Sequence, residues 1–161
     1  MHAHDTYLRW LYRGGRPSHF GRVLNRLSAV MFSAGIMPSR VATLEITGRK
    51  SGRPVSFPVV IADYSGERYL VSMLGANTNW VRNLKAADGQ AVLRHGRREL
   101  IRLQEVPVAE RAPVLRRYLQ VAPGARPHIP VDRRADPTEF ERIAAGYPVY
   151  RIQARAAVRA A

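Results

Sequence analysis

The chain has 161 residues, a length that suits one domain able to bury a core without covalent staples. It has no cysteine, which excludes disulfides, thiolate metal sites and cysteine nucleophiles. Its formal net charge is +14, but Lys50 and Lys85 are the two lysines among 26 basic residues and the remaining 24 are arginine. Arginine and alanine abound together, as a GC-rich genome dictates, so the charge reads as codon bias and nucleic acid is not an expected partner.

In chain order, Asp5 to Tyr12 reads as a short helix capped by Asp5 or Thr6, and "GGRP" then breaks the chain. A second helix is predicted from Ser18. Phe20, Val23, Leu24, Leu27, Val30 and Met31 recur on one face, Gly35 serves as C-cap and Pro38 stops it. The longest apolar run, Leu27 to Pro38, is too short and too interrupted for a membrane span. The first ten residues lack the charged-then-apolar layout of a signal peptide. A cytoplasmic protein is expected. The arginines around the second helix leave open a peripheral contact with the inner face of the membrane, beside the plainer reading that this helix caps the fold.

"RVATLEIT" (Arg40–Thr47) alternates and is β-branched, so it reads as a strand. "PVSFPVVIADY" (Pro54–Tyr64) is a second, with Pro58 arguing for an edge or a bulge, and "RYLVSML" (Arg68–Leu74) is a third. Hairpin connections predict that the three form an antiparallel meander. "NWVRNLKAAD" reads as a short helix with Asn79 as its cap. "QAVLRHG" and "RRELIRLQEVP" form a second hairpin around Gly96. Val108 to Gln120 is helical, with Pro113 at its start or kinking it, and a proline-rich irregular stretch follows. Pro137–Gly146 is a last helix and Tyr147–Gln153 a last strand.

Six strands without βαβ alternation argue for a mainly β fold with flanking helices (α+β). The expected form is a split antiparallel β-barrel with the N-terminal helix or helices packed outside. One domain is expected over 1–161. Its parts are an N-terminal helical segment (1–38), a barrel core (39–153) and a frayed tail (154–161).

Chemical machinery is sparse. The five histidines are scattered without metal-ligand spacing, and no G-x-S-x-G elbow or G-x-x-x-x-G-K loop occurs. No catalytic residue can be named, and an enzyme of this composition would take its reactivity from a bound cofactor. Two places stand out. Gly48-Arg49-Lys50-Ser51-Gly52 is either a solvated hairpin tip or an anion clamp, in which glycines admit backbone N–H groups and the side chains add donors. Trp80 and Asn83, three apart on a helix, share a side. They are either core and cap or the wall of a ligand groove.

"TGRKSG" (Thr47–Gly52) between two strands, followed by "GANTNWVRNL" (Gly75–Leu84), resembles the deazaflavin-dependent nitroreductase and quinone-reductase family of actinobacteria. The similarity runs from about Arg40 to Gln104, with echoes to "YPVYRI". The resemblance implies a split β-barrel oxidoreductase that uses coenzyme F420. It implies that Arg49 and Lys50, with Ser51 and Gly52, hold the phosphodiester or glutamate carboxylates of the coenzyme tail. Pro58, Val59, Ser72, Met73 and Gly75 would border the ring, and Trp80 and Asn83 would complete the groove. Three positions depart from the family pattern. Val55 and Met73 stand where basic residues are common, and Val121-Ala122-Pro123-Gly124-Ala125-Arg126 replaces the tyrosine cluster of nitro-drug reducers. A quinone, an enone or another apolar electrophile is therefore the expected acceptor. Two alternatives stay open: a non-catalytic deazaflavin or fatty-acid binder, and an FMN enzyme on the same barrel. Nothing in the sequence sets the oligomeric state.

Overall fold

The computed structural model describes residues 38–155. The helices expected at 5–12 and from Ser18, with their capping or membrane role, lie outside the described residues. So does the tail beyond 155.

The strands are β1 (Val41–Thr47), β2 (Pro54–Val60), β3 (Ala62–Tyr64), β4 (Glu67–Val71), β5 (Gln90–His95), β6 (Arg97–Glu105) and β7 (Val149–Ala154). The helices are α1 (Asn79–Ala86), α2 (Ala112–Val121) and α3 (Pro137–Ile143). Alternation explains the strands. In β1, Ala42, Leu44 and Ile46 are buried while Thr43, Glu45 and Thr47 are not. Leu44 lies opposite Phe57 in β2 and Leu93 in β5, so one face of the sheet becomes apolar. Pro113 sits in the first turn of α2, where its missing N–H has no helical partner to lose.

Seven strands, all paired antiparallel, form one sheet in the order β2-β1-β5-β6-β7-β4-β3. The expected meander needs correcting. The β1–β2 and β3–β4 hairpins form, but the predicted strand 54–64 is two strands that stand at opposite edges of the sheet. Ile61 is the corner between them, and its N–H donates to the Arg40 carbonyl at 2.8 Å. One residue joins the two edges, so the sheet has to curl into a half-barrel. Pro58 lies in edge strand β2, where a missing ladder donor is tolerated.

The curl makes two cores. Leu44, Ile46, Phe57, Leu70, Leu93, Ile101, Leu103 and Ile152 fill the concave interior. On the other side, Val60, Tyr69, Val71 and Val149 are covered by Leu115, Tyr118 and Leu119 of α2 and Phe140 of α3. Each fully buried leucine or isoleucine contributes about 1.5–3 kcal/mol. Polar ties set the elements relative to one another. Arg40 and Arg117 converge on the Asp63 carboxylate beside the corner, Arg117 at 3.2 Å, and Arg40 foremost holds that carboxyl below the usual carboxylate range. Arg111 is buried and donates to the Val106 carbonyl (2.8 Å), the Ala144 carbonyl (3.1 Å) and the Glu105 carboxylate (2.9 Å). It thus fastens the end of β6 to the turn after α3.

Tyr150 is an exception to polar satisfaction. It is 3% exposed, and its hydroxyl finds no partner among the described residues. Burial, with the Glu105 carboxylate nearby, pushes the phenol up to about 12. An unpaired buried hydroxyl costs about 1–3 kcal/mol. Tyr150→Phe is therefore expected to be neutral or to raise stability by about 1 kcal/mol in urea denaturation. A clear loss of stability would show that the hydroxyl is bonded in the intact chain.

Candidate functional site

The turn after β1 is compact because its backbone closes on itself. Gly48 N–H donates to the Arg53 carbonyl at 2.8 Å, and Gly52 N–H to the Gly48 carbonyl at 2.9 Å. Gly52 has φ +68, a conformation that side chains disfavour. A Cβ on Gly48 would stand 2.7 Å from Ser51 Oγ. Ser51 Oγ accepts from the Arg53 N–H at 3.2 Å. Lys50, Ser51 and Gly52 are exposed at the tip.

Arg49 is exposed as well, but it is tied to α1. Its backbone N–H donates to Asn83 Oδ1 at 3.2 Å, and its Nη1 donates to the same oxygen at 2.8 Å. Nη2 reaches Asn79 Oδ1 at 3.4 Å. One arginine therefore clips the hairpin tip onto the first two turns of α1, and the buried oxygen of Asn83 is satisfied by it.

Helix α1 is capped by Thr78, whose Oγ1 accepts from Val81 N–H at 3.4 Å. This corrects the expectation that Asn79 is the cap. Asn79 is the first helical residue, and its side chain is directed to Arg49. Trp80, Val81, Asn83 and Leu84 form the buried side. The Trp80 indole is tilted on Phe57 at 5.8 Å and edge-on to Tyr150 at 5.5 Å. At 5% exposure it is a core residue that seats the helix, and it offers a ligand very little surface.

The chain reaches α1 through a second tight turn. Strand β4 ends at Val71, so Ser72, Met73 and Leu74, expected in the strand, lie beyond it. Ser72 N–H still donates in register to the Pro148 carbonyl at 2.9 Å, but proline has no N–H to return, and the Ser72 hydroxyl turns to the Gly75 carbonyl at 2.6 Å, so the ladder ends here. Gly75 has φ +94. Ser72 is 1% exposed and shapes the turn, and Met73 and Gly75 are half-buried. Pro58 and Val59 are half-buried on β2, beside the Phe57 that supports Trp80. The structure thus joins Arg49, Asn83 and Trp80 directly. It links the Ser72–Gly75 turn to them through Ala76–Thr78, and it leaves Lys50, Ser51 and Gly52 at the rim.

The donors in this region share one sign. Arg49, Lys50 and Arg53 on the turn and Arg82 and Lys85 on α1 are exposed cations, and the first turn of α1 has no acid. A helix N-terminus adds partial positive charge. Guanidinium, ammonium, hydroxyl and free backbone N–H groups together suit a flexible polyanion. No three His, Asp or Glu side chains come together as metal ligands among the described residues.

A model of the F420H(2)-dependent quinone reductase family matches residues 23–134. The chain belongs to that family. It is an F420H2-dependent reductase, and F420 is its coenzyme. The cationic turn is chemically suited to that coenzyme, whose tail is a phosphodiester extended by glutamates. Solved structures share the reductase's fold at low identity. A protein of unknown function from Agrobacterium tumefaciens superposes with a TM-score of 0.55 and 16% identity, over 80% of this chain and 55% of that one. The reductase thus spans about half the length of that protein. An F420-H2 dependent reductase (FDR-A) superposes with a TM-score of 0.50 and 15% identity, over 73% of this chain and 97% of the other. A protein described as a domain-swapped dimer gives 0.51 and 14%, over 86% and 100%. At these identities the likeness concerns the fold. No curated protein matches the sequence. No helix among the described residues is long and apolar enough to cross a membrane.

Arg111 was not legible as a key residue of the reductase, since one arginine among many carries no signal until the carbonyls it serves are placed. Tyr150 is likewise indistinguishable in sequence from any inward strand tyrosine.

Proposed function

We propose that this reductase delivers a hydride from F420H2 to a quinone, an enone or another apolar electrophile, as its family name and its scarcity of acid–base side chains suggest. Arg49, Lys50, Ser51 and Gly52 hold the anionic tail. Pro58, Val59, Ser72, Met73 and Gly75 border the ring, and Asn83, seated by Trp80, closes the groove. When bound, the reduced coenzyme supplies the hydride. The protein aligns donor and acceptor and keeps water from between them. The single proton that completes the reduction comes from solvent or a nearby donor. The observation that carries this reading is the pair of hydrogen bonds from Arg49 to Asn83 Oδ1, which fixes the exposed cationic hairpin tip against α1.

The test is titration of the purified protein with oxidised F420 and with FMN, followed by oxidation of F420H2 in the presence of naphthoquinone and cyclohexenone. Saturable F420 binding that exceeds FMN binding, with turnover of at least one acceptor, is expected. Tighter FMN binding would assign the barrel to flavin instead. F420 binding without turnover across a broad panel would make it a carrier.

A further inference from the structure

The sequence stretch after α2 reads as irregular, yet its course in the structure is fixed. Residues Pro123–His128 form a tight 310 turn, and Ala125 and Ile129 are 1% and 2% exposed. Arg126 ties the start of this loop to α2, with Nε donating to the Leu119 carbonyl at 3.0 Å. The far end is held by Tyr147, whose hydroxyl donates to the His128 carbonyl at 3.0 Å. Burial raises the Tyr147 phenol above its ordinary value, so it stays a donor across the physiological range.

Tyr147 stands in the segment that backs the Ser72–Gly75 turn. On one side of it, the Gly146 carbonyl lies 3.5 Å from where a Gly75 Cβ would be, so the two segments are in ordinary van der Waals contact. On the other side, the Pro148 carbonyl accepts the Ser72 N–H. Tyr147 therefore connects the two: its neighbours' backbone meets the turn assigned to the coenzyme ring, and its phenol holds the 123–131 loop. Met73, Val121, Val131 and Tyr147 are all half-buried against the same core cluster, so the loop and the turn share one apolar support.

We infer that Tyr147 is a positioning residue for the acceptor: its bond to the His128 carbonyl latches loop 123–131 beside the Ser72–Gly75 turn and so sets which electrophile reaches the ring. This rests on the placement of the ring under the proposed function. The loop bears no part of the cationic turn, so loosening it changes acceptor recognition and leaves the coenzyme tail held. The chemistry selected is that of a flat apolar acceptor lying against Met73, Val131 and the loop backbone.

Tyr147→Phe removes the hydroxyl and keeps the ring. Hydrogen–deuterium exchange of the protein without coenzyme reads the latch by itself. Amides of 123–131 should exchange about three- to tenfold faster in the variant, the change one net hydrogen bond supplies. In turnover, KM for naphthoquinone should rise by about the same factor, with kcat changed less and the F420 Kd held within about twofold. Unchanged exchange in 123–131 overturns the latch, whether or not the protein binds F420. Faster exchange with KM for both naphthoquinone and cyclohexenone unchanged overturns the role in acceptor recognition. A Kd that weakens in step with KM overturns it too and moves Tyr147 into the coenzyme site. Failure of the wild-type protein to bind F420 would instead count against the proposed function, and the exchange comparison would still read the latch.

Discussion

Replacing Arg49 and Lys50 together by alanine is expected to weaken F420 binding by about a hundredfold or more. The charge-assisted hydrogen bonds of Arg49 contribute roughly 1.5–3 kcal/mol and the exposed Lys50 roughly 1 kcal/mol, and together they amount to about two decades or more in Kd. The two residues are not equivalent. Lys50 is exposed at the tip, so its single replacement should cost about three- to tenfold and its effect should fade as salt is raised. Arg49 also supplies both bonds to the buried Asn83 oxygen. Arg49→Ala removes the guanidinium bond while the backbone N–H remains, so the tip loosens from α1 and affinity falls through geometry as well as charge. Arg49→Lys separates the two effects: it restores a cation without the planar fork, and should recover only part of the binding. Fluorescence titration of F420 measures all four variants, with thermal unfolding to confirm that each is folded. A double variant that binds within about twofold of wild type would remove the anion grip from the account.

The cationic turn was legible because its signals are local. Glycines around two bases and a serine between alternating segments mark a tight cationic turn, and the three-residue spacing of Trp80 and Asn83 puts them on one side of a helix. What spacing alone does not fix is which partner that side meets. It faces the barrel interior at Trp80 and the hairpin tip at Asn83. The half-barrel itself was legible from alternation, but its corner was not. Alternation disappears where it was most needed, because Val59, Val60, Ile61 and Ala62 form a continuous apolar run. Val60 and Ala62 belong to the outer core and Ile61 to the interior. An apolar run of this kind is compatible with an unbroken buried strand, so six strands were expected where the described residues form seven. The end of β4 follows from Pro148 standing opposite Ser72, which is visible only once the strand pairing is known, and the Thr78 cap depends on a single hydrogen bond from Val81. Tyr147 and Arg111 act through backbone carbonyls, which every residue has, and so leave no pattern to read.

The second large effect concerns Trp80. Trp80→Ala is expected to destabilise the protein by about 3–5 kcal/mol, since a buried indole is lost and the space it leaves can collapse only in part. Domains of this size are typically stable by about 5–15 kcal/mol, so much of the margin goes with it. The indole is also what seats α1 on Phe57 and Tyr150, one helical turn from Asn83. Coenzyme affinity should therefore fall in the folded fraction although Trp80 presents almost no surface of its own. Trp80→Phe decides between a supporting and a direct role. If the indole acts as a prop, a phenyl ring that still packs on Phe57 and Tyr150 keeps most of the F420 affinity at a stability cost of about 1–2 kcal/mol. If it flanks the ligand, the same change lowers affinity out of proportion to stability. Urea denaturation and F420 titration on the two variants separate these outcomes. The 5% exposure of the indole favours the first, in which the anion grip depends on a residue the anion never touches.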